Sequence, residues 1–519
     1  MSTNESDITN QAQWVMDQTG DLLVKLASEA NLNQLMNRIL TESRQLTNAE
    51  GGTFYRLIGK ANERALEFTV VQNPSLGIES MIVDPNVDGW DKIQLFNDDQ
   101  PNLSNVASSV AITGQAVNIE DAYASETYDF SGTREFDEAK GYKSQSFLTV
   151  PLLNHENMVI GVIQLINARE DNTIIPFSHD NQVKLEGMAK YAAISLDNQL
   201  LVKSHKDLLD AFIQSLAQII DVRSPHTSAH CQRIPVLTEL IAQAACNQKE
   251  GYFADFDLNE DEWYELHVAA WLHDCGKLAT SETILNKGTK LEFLQDAMDT
   301  ITTRFSVIAA QSTDAVFIET LKEDLLFLEK INKGGEFMSD DLKERVKDIA
   351  RHHWIDLNGH SHPLLTEDEV YNLCITRGTI NDEERFAINQ HIDITIDVLE
   401  KLPFPPKLQR VPEYAGGHHE RMDGKGYPKG LTRDEMSIPA RIMGIADIFE
   451  ALTAKERPYK PPMPLTQVFS ILRNMRDNGH IDPDIFELFV VSEVWKPYAK
   501  EHMLEIQIDV TDAREYLHS

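Results

Sequence analysis

The chain has 519 residues, of which 42% are hydrophobic, and a formal net charge of −35. That length exceeds what one hydrophobic core normally encloses, so several domains are expected. The acidity argues against a nucleic acid polymer as partner, because its phosphates would be repelled over most of the surface.

No stretch approaches the roughly 20 apolar residues that cross a bilayer, and the run from Met1 to Asp7 lacks the basic start and apolar core of a signal peptide. The sequence therefore reads as cytoplasmic, without a membrane span. Four cysteines, Cys231, Cys246, Cys275 and Cys374, have no CxxC spacing. They suggest neither a disulfide framework nor a zinc finger, and read as reduced thiols.

In chain order, residues Asp21 to Leu46 place leucines and isoleucines at helical spacing. Short β-branched and aromatic runs follow at 52–57, 66–71, 147–153 and 159–166, and another helix is expected over 178–204. Helix, strands and helix around an antiparallel sheet make an α+β sensor arrangement. The run Thr113-Gly114-Gln115-Ala116-Val117-Asn118-Ile119-Glu120-Asp121-Ala122-Tyr123 resembles a common stretch of GAF domains, as does Val150-Pro151-Leu152 before Val159–Asn167. Cyclic-nucleotide GAF domains carry an NK…F…DE signature. Here Asn167-Ala168, Phe177 and Asn181-Gln182 stand instead, which weakens a cyclic-nucleotide assignment and leaves an unknown small-molecule ligand or a purely dimerising role open.

The last helix of this segment runs on into Leu208, Leu209, Phe212, Ile213, Leu216, Ile219 and Ile220. That spacing suits either a signalling helix paired with its copy in a homodimer or a buried helix of the next domain.

Two later stretches carry chemistry. His418-His419-Glu420-Arg421-Met422-Asp423-Gly424-Lys425-Gly426-Tyr427-Pro428-Lys429-Gly430-Leu431 has no amphipathic period and reads as a loop. Tandem imidazoles can face one divalent cation or two neighbouring ones if the backbone bends, which the glycines allow. Upstream, the apolar run Ala269-Ala270-Trp271-Leu272 ends in His273-Asp274, then Gly276-Lys277. A carboxylate can bridge two cations while the histidine fixes one, as two-metal hydrolases require. Lys277, one turn from His273, would set a positive charge beside a phosphate.

With these motifs in place, the region from about Leu201 to Val490 resembles an HD-GYP domain, a bacterial branch of the HD phosphohydrolases. His273-Asp274 with Lys277 stand for its HDxGK pattern and His418–Pro428 for HHExxDGxGYP. Arg441-Ile442, Ile445-Ala446-Asp447, Ala451-Leu452-Thr453 and Arg457-Pro458-Tyr459 match its downstream pattern. The resemblance implies an all-helical domain hydrolysing cyclic di-GMP, with two or three divalent ions, iron or manganese. It implies His230, His273, Asp274, His391, His418, His419 and Asp447 as ligands, and His273, Asp274 and Lys277 as the catalytic group. Where three-metal members carry a glutamate, this chain has His226, either a further ligand or a solvent-facing residue. Tyr427, Arg421, Lys425 and Lys429 are candidates, with Lys277, for contacts to base or phosphate.

Residues from about 291 to 378 read as a helical insertion, expected to be a lid or a partner-docking hairpin. Its His352, His353, His360 and His362 are expected at the surface. Two helices are expected over 465–493, and the alternation at 504–510 suggests a short edge strand or extended tail. The fold class is thus multidomain: an α+β GAF sensor (14–200), an all-α HD-GYP bundle (201–490) and a tail (491–519). A cyclic di-GMP phosphodiesterase producing the linear dinucleotide or GMP is the first functional reading. A dinucleotide receptor signalling to protein partners, and a hydrolase of another nucleotide such as cyclic GMP-AMP, are the alternatives.

Overall fold

The structure is a computed structural model, and it describes residues 29, 31–83, 90–171, 173–223, 230–335, 337–455 and 462–518. The chain divides into two compact units, residues 1–208 and 209–519.

In the first unit, helix Leu32–Thr47 starts where the Asn31 side chain accepts from the amides of Asn33 and Gln34, and stops at Asn48 in the left-handed conformation. Most of the earlier part of the helix expected from Asp21 lies outside the described residues. The strands are β1 (Ala49–Ile58), β2 (Ala65–Asn73), β3 (Ile78–Ile82), β4 (Ile93–Gln94), β5 (Phe96–Asn97), β6 (Gln100–Pro101), β7 (Val117–Ile119), β8 (Phe147–Leu153), β9 (Val159–Glu170) and β10 (Thr173–Ile175). The main sheet runs β3-β2-β1-β9-β8-β7, with β4 on β2 and β10 on β9. The four expected strands lie within β1, β2, β8 and β9.

Neighbouring residues on a strand face opposite sides, which sorts this sheet's two coverings. Phe54, Val150 and Ile163 pack with Leu35 and Ile39 of the first helix and with Leu185, Ala192 and Leu196 of helix His179–Arg223. Tyr55 and Val162 face the other way, onto Val110 of helix Val106–Thr113. The result is an α+β sheet covered on both faces.

The second unit is mostly helical. Helices His230–Cys246, Glu260–Leu272, Ile438–Thr453, Leu465–Asp477 and Pro483–Val491 meet in one core that includes Ile234, Leu266, Ile442, Phe449, Phe469 and Phe489. The apolar stripe after 208 splits into two faces: Ile213 joins this core with Leu209 and Leu216 against it, whereas Leu208, Phe212 and Ile219 are exposed.

The C-terminal residues correct the sequence reading. Residues 504–510 form no strand: Glu505–Gln507 is a 3-10 turn, preceded by helix Trp495–His502. Trp495, Tyr498, Val510, Ala513 and Tyr516 enter the bundle core, whereas Leu504, Ile506 and Ile508 of the alternation stay exposed.

The insertion holds helices Met298–Gln311, Ala315–Asn332, Asp340–Ala350 and Glu367–Leu373 and a hairpin of β11 (His353–Ile355) and β12 (Ser361–Pro363). These close on a core of their own, including Ile301, Phe305, Leu328, Val346 and Leu364. Lys290 seals its base: the buried ammonium donates to the carbonyls of Leu373 and Ile375, both at 2.9 Å. His353, His360 and His362 lie at the hairpin, the last two beside the Asp356 carboxylate at 3.3 and 3.2 Å. Among the described residues no helix is long and apolar enough to cross a membrane.

Candidate metal centre

Helix Glu260–Leu272 opens on a capping box between Asn259 and Glu262 and ends at His273, so its last turn delivers His273 and Asp274 together. The His273 Nδ1–H donates to the Ala270 carbonyl at 2.8 Å. His391 and His418 repeat this device, donating through Nδ1 to the carbonyls of Ile388 (2.5 Å) and Ala415 (2.6 Å). A carbonyl only accepts, so each imidazole carries its proton on Nδ1 and turns the Nε2 lone pair inward.

The inward atoms converge. His230 Nε2 stands 3.4 Å from Asp274 Oδ2, from Asp447 Oδ1 and from His273 Nε2. His391 Nε2 lies 3.3 Å from the other Asp274 oxygen, Oδ1. Three groups have donor atoms within 4.8 Å of one another: His391, His418 and His419; His230, His273 and Asp447; His273, Asp274 and His418. Asp274 therefore presents one oxygen to each side of a double cluster. All seven residues expected as ligands gather here, while His226 lies outside the described residues.

Donor chemistry and burial fit divalent cations. Among the described residues, Asp274 Oδ1, His391 Nε2 and His418 Nε2 are buried without a hydrogen-bond partner, a costly condition that a cation would relieve. Burial, with His273 close by, holds the His418 imidazole far below its usual pKa, and burial beside His418 pushes His419 down to about 2. Both stay neutral, as a ligand must. Burial opposes ionisation of Asp274, yet Lys277 and His273 hold its carboxyl well below the usual range. The Cys231 and Cys275 thiols are pushed up by burial, the latter to about 11, and are protonated bystanders.

A second layer supports the first. His230 Nδ1 donates to the buried Glu450, whose other oxygen accepts from Arg233 Nε at 2.7 Å. Burial works against a charge on His230, but Glu450 and Asp274 overcome it and raise its pKa to about 10. Glu450 escaped the sequence reading; its signal is the three-residue step from Asp447, which puts both carboxylates on one helix face.

The loop after His418 is locked by Glu420, whose oxygens accept the amides of Lys429 (2.7 Å) and Leu431 (2.9 Å). Gly424 and Gly430 take positive φ, but Gly426 is needed for close approach: a β-carbon there would lie 2.4 Å from the Arg421 nitrogen. The loop stacks Tyr427 on His419, with ring centroids 4.9 Å apart.

Beside the cluster lies a cavity of about 370 Å³ lined by His418, His419, Asp447, Tyr427, Arg421, Lys425 and His480, with Ile448, Ala451 and Leu452 as its apolar side. Two expected contacts fall elsewhere. Lys429 is exposed and is not in this lining. The Lys277 ammonium pairs with Asp274 Oδ2 rather than facing the cavity, because a buried carboxylate is its nearest counter-charge. No described residue of the insertion lines the cavity, contrary to a lid in this conformation. His480, not singled out in the sequence, was the missed lining residue.

Comparison with known proteins decides the domain composition: residues 31–196 match the GAF domain family model and residues 366–485 match an HD domain model. The chain joins a GAF domain to an HD domain. The HD match contains His391, His418, His419 and Asp447, whereas His230, His273 and Asp274 precede it and reach the same centre through the fold. Among relatives, 3′3′-cGAMP-specific phosphodiesterase 3 of Vibrio cholerae is 27% identical over 290 residues, 55% of this chain and 40% of the relative. 3′3′-cGAMP-specific phosphodiesterase 1 of the same organism is 39% identical over 113 residues, 22% of this chain and 25% of the relative. The cyclic di-GMP phosphodiesterase of Thermotoga maritima is 36% identical over 121 residues, 23% of this chain and 32% of the relative. The chain thus spans well under half the length of these curated relatives.

Proposed function

We propose that the HD domain of this chain hydrolyses a phosphodiester bond of a cyclic dinucleotide, cyclic di-GMP in the first instance, under control of a ligand of the GAF domain. The observation that carries this reading is the convergence of three donor groups beside the cavity, with one Asp274 oxygen facing His230 and the other facing His391. His230, His273 and Asp447 would hold one divalent ion, and His391, His418 and His419 another, with Asp274 between them. Iron or manganese suits such mixed imidazole and carboxylate donors. When bound, these ions would supply Lewis acidity, activating water and offsetting charge on the phosphoryl oxygens.

The chain's own residues divide the remaining work. Arg421, Lys425 and His480 line the side of the cavity suited to the phosphate and base that are not being cleaved, and Tyr427 offers an aromatic face. Lys277 keeps Asp274 ionised, as a carboxylate that would hold the ions must be. Water adds to phosphorus, the phosphorus–O3′ bond breaks, and the departing oxygen takes up a proton, leaving a linear dinucleotide with a 5′-phosphate. A second round gives mononucleotides.

A second substrate reading, 3′,3′-cyclic GMP-AMP, is favoured by the relative matched over more than half of this chain, which carries that specificity in its name. Parallel turnover of both dinucleotides by iron- or manganese-loaded protein, with products resolved by chromatography, tests the proposal. Comparable metal loading with binding but no cleavage of either would point to the receptor alternative.

A further inference from the structure

The cation side of the cavity carries its own counter-charge. Asp423 pairs with both lining cations, Arg421 and Lys425, without itself entering the lining. Its Oδ2 accepts from Arg421 Nη2 at 3.1 Å and lies 3.3 Å from Lys425 Nζ, while Oδ1 accepts the Lys425 amide at 3.1 Å. The backbone is held as well: the Asp423 amide donates to the Gly479 carbonyl at 2.9 Å, and a β-carbon on Gly479 would stand 3.2 Å from that of Asp423. Two cations and one carboxylate leave a single positive charge. His480 adds none, because burial, with Arg421 beside it, lowers its pKa. Glu420, the loop's other carboxylate, is buried and directed to the Lys429 and Leu431 amides. Arg421 keeps a donor in reserve, since its buried Nε has no hydrogen-bond partner among the described residues.

We propose, resting on the dinucleotide reading of this centre, that Asp423 matches the cation side of the cavity to one phosphodiester and so makes the first cleavage outrun the second. A phosphodiester carries one negative charge, whereas a terminal phosphate carries about −1.5 to −2 at neutral pH. In a cyclic dinucleotide, the diester under attack lies at the metal ligands and the remaining diester meets Arg421 and Lys425. Water adds to phosphorus, the phosphorus–O3′ bond breaks and O3′ takes up the proton, which leaves a 5′-phosphate at the ligands. For a second cleavage the remaining diester must move to the ligands, and the terminal phosphate then falls against Arg421 and Lys425. One net positive charge does not neutralise it, and Asp423 repels it. The linear dinucleotide is therefore the poorer substrate and accumulates.

Two variants move the charge in opposite directions. Asp423→Asn keeps the shape and an acceptor for the Lys425 amide but leaves two positive charges, and Lys425→Gln, at a side chain 77% exposed, leaves none. The full chain, loaded anaerobically with iron or manganese, is given cyclic di-GMP, cyclic GMP-AMP and the linear dinucleotide made from each. Coulomb energy scales with the product of the charges, so Asp423→Asn should lower KM about 5-fold for the linear substrate and about 2-fold for the cyclic one. Mononucleotide should then appear earlier in the time course. Lys425→Gln should raise both KM values in the same proportion, and added salt should shrink every shift. Mere loss of structure would raise KM in both variants, so the reversal of sign is the deciding readout. A higher KM for either substrate in Asp423→Asn, or an unchanged ratio between the two, would overturn the role of Asp423. No cleavage of any of these dinucleotides by the unsubstituted, fully loaded protein would instead remove the dinucleotide reading itself, and this role with it, before any variant is compared.

Discussion

Gly276 is pressed against the backbone of His391: a β-carbon on Gly276 would stand 1.9 Å from the His391 carbonyl oxygen and 2.8 Å from the Thr395 nitrogen. The Gly276 amide donates to Thr395 Oγ1 at 2.9 Å. Two residues after Asp274, this contact seats the turn carrying the Asp274 carboxylate against the helix carrying His391.

Gly276→Ala should therefore separate Asp274 from His391. Overpacking costs about 1–3 kcal/mol, and displaced ligand support typically costs about 10–100-fold in metal affinity. Thermal melting and metal titration of the variant should show both losses. Metal affinity equal to that of the unsubstituted protein would refute the seating role.

Glu450 should govern the acid–base behaviour of the metal-free protein. The His230 pKa, raised from 6.5 to about 10, makes a contribution that is complete below about 6.5 and is lost as pH climbs through about 10. The Glu450 carboxyl opposes its own burial but is held by His230 and Arg233 at about 2, from 4.5. Its contribution is complete above about 4.5 and disappears as pH falls through about 2. The pair thus stabilises most between about pH 4.5 and 6.5. Glu450→Gln should remove this dependence and cost roughly 3–5 kcal/mol, the usual result of removing one partner of a buried pair. Chelated samples melted across pH would check it, and parallel curves for both proteins would count against the pairing.

His480→Ala should weaken recognition more than chemistry. If His480 contacts the uncleaved half of the dinucleotide, KM should rise about 10-fold, equivalent to about 1.4 kcal/mol, with kcat nearly unchanged. Hydrolysis of bis(p-nitrophenyl) phosphate, which lacks that half, should be unaffected. Equal losses on both substrates would instead make His480 a support of the metal centre.

Glu420→Ala should loosen the loop without touching a ligand. The Lys429 and Leu431 amides would lose their acceptors, at about 0.5–1.5 kcal/mol for each part-buried bond. The His419–Tyr427 stack should lose order, visible as faster hydrogen exchange at 426–431. Unchanged exchange would show that the loop is held by other contacts.

What could be read from sequence was what side-chain chemistry announces locally. The tandem histidines and His273-Asp274 pointed to one centre because few other roles bring such residues together, and the β-branched runs located the central strands. Glu450, by contrast, is an unremarkable helix glutamate until the fold sets it against His230, 220 positions away. His480 needed the approach of its turn to the loop at Met422, whose amide donates to the His480 carbonyl. Lys277 was placed near the centre, but its choice of Asp274 over the cavity depends on burial, which periodicity does not report. The 504–510 alternation misled for a similar reason: Val510 is buried by helices, and two-residue periodicity does not distinguish a strand from packed turns.

The central claim is most directly tested with Asp274→Ala, since the two Asp274 oxygens face His230 and His391 on opposite sides of the cluster. Metal content and cleavage of cyclic di-GMP and cyclic GMP-AMP should be measured side by side for the variant and the unsubstituted protein, each loaded anaerobically with iron or manganese. The account predicts at least two ions per chain and turnover of one dinucleotide in the unsubstituted protein, and loss of both in the variant. Full metal occupancy and undiminished turnover without the Asp274 carboxylate would contradict it.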